Sequence, residues 1–148
     1  MTDAALNFTV IGLQERSRQG ALLARFGALH LVPESGKALT SEHLSIIQQP
    51  GGREKQIALR NSRGLGTHGD HLYHDADTQQ GASGAPVLND RWYRVARHHR
   101  TVPDLNEACT WAANRGVRVS AIFTRLRKSA ADLALIHISG PRDRPQSR

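Results

Sequence analysis

The chain has 148 residues, a formal net charge of +7 and an isoelectric point near 10.7. That length fits one domain around a single core. No apolar run reaches the roughly 18 residues that a membrane-spanning helix needs, and a lone cysteine, Cys109, excludes an internal disulfide. The amino terminus, MTDAALNFTVIGL, has an acidic residue and no basic leader region, so it does not read as a signal peptide. The compartment stays open, and would be cytoplasmic if Met1 is the biological start. The positive charge is dispersed: Arg16, Arg18, Arg25, Arg53, Lys55, Arg60 and Arg63 lie apart, and Arg125, Arg127, Lys128, Arg142, Arg144 and Arg148 gather at the end. Without aromatic interleaving or zinc-finger spacing, this favours a solvated basic surface over a nucleic-acid interface.

Short strand-like segments follow one another along the chain. Phe8 to Leu13 is a run rich in Val, Ile and Phe and predicts a strand. His43 to Gln48 predicts another, stopped by Pro50-Gly51-Gly52. Lys55 to Leu59 predicts a third, leading into a polar, Gly-rich loop from Asn61 to Asp70. His71 to His74 reads as a short strand. Ala85 to Leu88 and Trp92 to Ala96 form an expected hairpin joined by Asn89-Asp90, and Gly116 to Ser120 an expected last strand. Beyond Ser120 the period changes. Ile122, Phe123, Leu126, Ala130 and Leu133 fall at helical spacing, with Arg125, Arg127 and Lys128 on other faces, which predicts a terminal amphipathic helix packed on the sheet. Residues 139–148, rich in Pro, Arg and Ser, read as a disordered basic tail. Many short strands and one helix suggest an all-β barrel or sandwich.

The stretch QGASGAPVLND, residues 80 to 90, carries the chemistry. Acyl transfer needs an exposed hydroxyl and backbone N–H groups aimed at a developing oxyanion. Gly81 before Ser83 permits an unusual backbone turn, and Gly84 after it leaves room for substrate. Taken alone, the hexapeptide Gly81 to Pro86 serves equally as a tight turn into a strand at Val87.

Its surroundings resemble the chymotrypsin-fold serine peptidases, the bacterial trypsin-like and glutamyl-endopeptidase-like branch in particular. Asp77-Thr78-Gln79-Gln80-Gly81-Ala82-Ser83-Gly84-Ala85-Pro86-Val87-Leu88-Asn89 is similar to that group's serine loop, and Val95-Ala96-Arg97-His98-His99 to the strand after it. Upstream, IIQQPGGREKQIAL (Ile46 to Leu59) is similar to the group's I-I-Q-H-P-x-G-x-x-K-x-I. Downstream, NRGVRVSAI (Asn114 to Ile122) is similar to the approach to the terminal helix. The resemblance spans roughly residues 6 to 127 and implies an all-β chymotrypsin-like barrel, the second of the fold with a remnant of the first, and a C-terminal α-helix, over residues 1–138. It implies Ser83 as nucleophile, the N–H groups of Gly81 and Ser83 as oxyanion hole, and Thr78 with His98 as the pair that grips an acidic substrate side chain. A hydroxyl and an imidazole can both donate to a carboxylate. The bland alternative is that Thr78 caps a loop and His98 packs in a strand.

The chain departs from that family's pattern where a serine needs help. A serine nucleophile requires a base, and the base an orienting carboxylate. The family places histidine, then aspartate, before the serine. Here the first histidine, His30, follows the region where the aspartate belongs, and Leu6-Asn7-Phe8-Thr9-Val10-Ile11-Gly12-Leu13 sets Asn7 at the carboxylate position. In a chymotrypsin-type triad the same asparagine costs about 10⁴ in kcat. Asp3 is a less favoured substitute. Arg97 is a second oddity, a charge within a barrel strand that must be paired or exposed. The expectation is a serine-endopeptidase-like domain acting on a peptide or protein, impaired as this chain alone, with a possible partner chain supplying the missing barrel. A non-catalytic peptide-binding module and a basic nucleic-acid-binding domain are the rival readings. No cofactor is expected. His68-x-x-His71-x-x-His74 matches neither strand alternation nor one helix face, so it reads as a polar loop rather than a metal site. Cys109 lies in no motif, and Trp92 and Trp111 read as packing residues.

Overall fold

The computed structural model describes residues 1–29, 31–34, 40–103 and 111–130, and the side chains of all of these except 111, 112 and 130. His30, Cys109, Leu133 and the expected tail at 139–148 lie outside the described residues. The described residues hold eight strands and one α-helix: β1 (Thr2–Asp3), β2 (Phe8–Thr9), β3 (His43–Gln48), β4 (Gln56–His68), β5 (His71–His74), β6 (Pro86–Asn89), β7 (Arg94–Pro103), β8 (Trp111–Arg118) and α1 (Val119–Ala130). β3 to β8 close into an antiparallel barrel in the order β3-β4-β5-β8-β7-β6. Closure leaves no free sheet edge. Leu44, Ile46, Leu72, Val87, Val95 and Ala96 fill the barrel interior.

β3 and β5 form where expected. β4 does not. The polar, Gly-rich stretch from Asn61 onward is strand, not loop, and β4 runs 13 residues. Two neighbours hold it: Ser62 and Arg63 pair with Leu44 and His43, while Gly64 to His68 pair with β5. The ladder slips between Gly64 and Gly66, and Gly66 takes φ +147°, a conformation that glycine tolerates and side chains do not. A second irregularity lies beside Arg60, which takes φ +52° and donates its N–H to the Ser45 hydroxyl at 3.0 Å. The hairpin from Ala85 is β6 and β7, with β7 reaching Pro103, and Trp92 is exposed on the connecting loop rather than packed.

The predicted strand at the amino end is cut to Phe8–Thr9. Ile11 and Leu13 are 71% and 66% exposed, so their apolar run has nothing to pair with among the described residues. Phe8–Thr9 instead pairs with Thr2–Asp3 in a small separate hairpin. That hairpin docks on α1: Leu6 packs with Val117, Ile122 and Leu126, and Asp3 Oδ2 meets Arg125 Nε at 2.6 Å. Asp3 also accepts the Leu6 N–H at 2.9 Å, so its carboxylate closes the turn and holds the helix. Arg97, the charge that needed a partner, finds carbonyls: its Nη2 donates to Leu6 O at 3.1 Å and to Asn7 O. α1 begins one residue before the change of sequence period, and Val119, Ile122 and Leu126 are its buried positions.

Candidate active site

The serine loop is built by glycine. Gly81 takes φ +100°, and a Cβ there would stand 2.8 Å from Gln49 O and 2.9 Å from Gly52 N. Only a residue without a side chain lets the loop lie this close to the Pro50–Gly52 turn. The two are stitched by Gly51 N–H donating to Gln80 O at 2.6 Å. The upstream motif around Pro50 therefore buttresses the serine loop across 30 residues of sequence. Ala82 N–H donates to Gln79 O at 3.1 Å and Ala85 N–H to Ala82 O at 3.0 Å, which folds the chain back on itself around Ser83. Gly84 at φ +91° donates to His98 O at 2.9 Å, and His98 N–H returns to Ala85 O at 2.8 Å, tying the loop to β7.

Ser83 is exposed at the apex, between buried Ala82 and Ala85. Among the described residues its hydroxyl has no hydrogen-bond partner, and neither Gly81 N–H nor Ser83 N–H donates to another group. The loop can thus offer an exposed hydroxyl and two uncommitted N–H groups, the parts that stabilise an oxyanion. It brings no base to Ser83. None of the described histidine rings hydrogen-bonds Ser83.

Asn7 sits in the hairpin turn at φ +49° and makes no hydrogen bond to Ser83. Its Nδ2 lies 3.2 Å from His99 Nδ1. An amide nitrogen can only donate, so His99 Nδ1 accepts and this imidazole carries its proton on Nε2. Burial first, then the neighbouring Arg115, Arg97 and Arg100, with His71, hold His99 below the ordinary histidine range.

Thr78 and His98, expected to grip one carboxylate, each have their own neighbours and share no hydrogen bond. The Thr78 hydroxyl donates to Asn114 Oδ1 at 2.9 Å. His98 is 3% exposed, its Nδ1 is sealed without a partner, and its ring meets His74 edge-on at 5.5 Å between centroids. His74 is fully buried, with Nε2 likewise unpartnered. Its Nδ1 accepts the Ala76 N–H at 3.4 Å. Desolvation pushes both imidazoles down to about 4. For His98 the charges of His99 and Arg97 add to it, and for His74 that of His98 adds while Asp75 opposes. Without a bound anion both rings are neutral at pH 7.

Two residues of this neighbourhood escape the sequence. His74 is one. Asn114 is the other: buried in β8, it accepts from both Thr78 and Thr101 (3.0 Å) and donates to Ala76 O, locking the segment before the serine loop to β7 and β8. Its only signal was a polar side chain within an otherwise strand-like run. The His68, His71 and His74 triplet does not converge: His68 and His71 face each other across the β4–β5 turn and His74 lies inside the barrel. Among the described residues, no group of three potential ligands is placed to hold a metal ion. Two surface clefts, about 320 Å³ beside α1 and about 250 Å³ between the hairpin and α1, include none of Ser83, Thr78 and His98.

The architecture has a known counterpart. The crystal structure of Rv3671c from M. tuberculosis H37Rv, a serine-to-alanine mutant in its inactive form, superposes with a TM-score of 0.53 at 14% identity, over 74% of this chain and 56% of that one. The counterpart is a chymotrypsin-like serine protease fold. This chain has that fold. No family model matches the sequence. The uncharacterized protein y4fB of Sinorhizobium fredii is 31% identical over 86% of this chain and 24% of its own length. The secreted RxLR effector protein 73 of Plasmopara viticola is 31% identical over 66% of this chain and 25% of its own. The chain spans about a quarter of the length of these curated relatives.

Proposed function

We infer that this chain is the serine-bearing barrel of a serine-endopeptidase-like domain, with Ser83 as nucleophile and the N–H groups of Gly81 and Ser83 as oxyanion hole. The observation that carries this reading is the exposed Ser83 on a glycine-built loop with both N–H groups uncommitted. In the reaction, Ser83 Oγ would add to the peptide carbonyl carbon as its proton passes to a base. The C–N bond would then break with that proton going to the leaving amine, and water would release the acyl group by the same steps. The base is the part that no described residue supplies, so turnover by this chain alone is low. A partner chain, or sequence of the kind that lies outside the matched quarter of its relatives, would bring it. An acidic peptide is the substrate this pair favours: Thr78 with His98 would bind its carboxylate once the Thr78 hydroxyl turns from Asn114.

Fluorogenic peptides with Glu, Asp or Ala before the scissile bond, assayed with and without imidazole as a diffusible base, test this. Slow cleavage that imidazole accelerates, that prefers Glu or Asp and that Ser83→Ala abolishes is expected. Binding of acidic peptides without cleavage under any condition would replace it with a non-catalytic binding module. Cleavage unaffected by Ser83→Ala would refute it.

A further inference from the structure

The cleft between the amino-terminal hairpin and α1, about 250 Å³, combines two features that seldom meet. Phe8 and Val10 from the hairpin side and Ile122 and Leu126 from the helix give it apolar walls, and Arg94 and Arg97 of β7 line it as well. No aspartate or glutamate is among its described lining residues. Both Nε atoms are buried and have no acceptor. Arg97 spends Nη2 on Leu6 O and Asn7 O, whereas the Arg94 guanidinium makes no ion pair or hydrogen bond among the described residues. Burial weakens both guanidiniums' hold on their protons, and Arg97 adds repulsion at Arg94. Two cations lining one cleft, partly out of water and without a counter-ion among the described residues, are costly. An anion that accepts from a guanidinium edge removes that cost, and a planar carboxylate matches the fork best. The apolar walls require that this anion carry hydrocarbon.

We propose that the cleft between hairpin and helix binds a small aliphatic carboxylate, its head on Arg94 and Arg97 and its chain against Phe8, Val10, Ile122 and Leu126. The site is separate from the serine loop and stands or falls independently of the peptidase reading. The occupant also cements the hairpin to the barrel, because it bridges residues from both.

The test is a titration of the ¹⁵N-labelled chain, reading the arginine Nε–H resonances, with hexanoate, N-acetylleucine, hexanol and acetate. Saturable shifts at Arg94 and Arg97 with hexanoate or N-acetylleucine, and much weaker ones with hexanol and acetate, are expected. The tighter of the first two tells whether a free acid or a peptide end is preferred. Arg94→Gln should weaken binding about tenfold, the worth of one charged hydrogen bond. No shift at hexanoate up to about 10 mM, or equal shifts with acetate, would overturn the proposal. The wild-type titration decides it even if the variant fails to fold.

Discussion

Replacing Gly81 by alanine tests whether the serine loop is built as described. Two costs arise there and only one at Gly84. Both glycines have positive φ, +100° and +91°. Holding a non-glycine residue in such a region costs roughly 1–3 kcal/mol. At Gly84 a Cβ meets nothing within 4 Å, so that is the whole cost. At Gly81 the Cβ would press on Gln49 O at 2.8 Å and Gly52 N at 2.9 Å, both backbone atoms that cannot rotate aside. Overpacking of that kind typically adds another 1–3 kcal/mol. Gly81→Ala is therefore expected to lose about 2–6 kcal/mol, against total stabilities of roughly 5–15 kcal/mol for such domains, and Gly84→Ala about half as much. Gly12, with open space and no positive φ, is the neutral reference. Urea unfolding followed by circular dichroism measures all three, and the loop's reactivity should fall with Gly81→Ala even where the fold survives. Equal, small losses at Gly81 and Gly84 would show that the serine loop does not lie against the Pro50–Gly52 turn.

Two further outcomes follow from the barrel interior. His74 and His98 sit at about 4 when folded but near 6.5 when unfolded, so the unfolded chain takes up protons first as pH falls. Their neutral forms stabilise the fold fully above about pH 6.5, and that stability drains away between there and about pH 4, by up to about 3 kcal/mol per ring. Urea midpoints from pH 7.5 to 4 check it, and a His74→Phe, His98→Phe double variant should flatten the profile. Asn114→Ala strips the hydroxyls of Thr78 and Thr101 and the Ala76 carbonyl of their partner, and is expected to cost about 2–4 kcal/mol by the same denaturation.

How much of this was legible in the sequence depended on the range over which each feature is determined. β3 and β5 are short runs with turn residues at their ends, and they form where the pattern puts them. The serine loop is also local, since its glycines stand beside the serine they serve. Residues 61–68 were misread because polar, glycine-bearing sequence has no strand signal of its own. It becomes strand only because β3 and β5 lie on either side of it. Ile11 and Leu13 failed in the opposite sense, strand-like in composition but with no neighbouring strand. Arg97 looked like an error until the hairpin carbonyls, some 90 residues away, appeared beside it. His74 meeting His98, and Asn114 joining Thr78 to Thr101, are through-space facts that no spacing along the chain encodes.

On the proposed reading, Ser83 lies in an oxyanion site that lacks its base. A fluorophosphonate probe, with the adduct located by mass spectrometry, tests it most directly. Labelling of the wild-type chain should be slow, should accelerate when imidazole is added, should map to Ser83 and should vanish in Ser83→Ala. Rapid labelling without imidazole would mean that the chain already holds a base. An adduct on another residue, or none with imidazole present and the fold intact, would mean that Ser83 is only a turn.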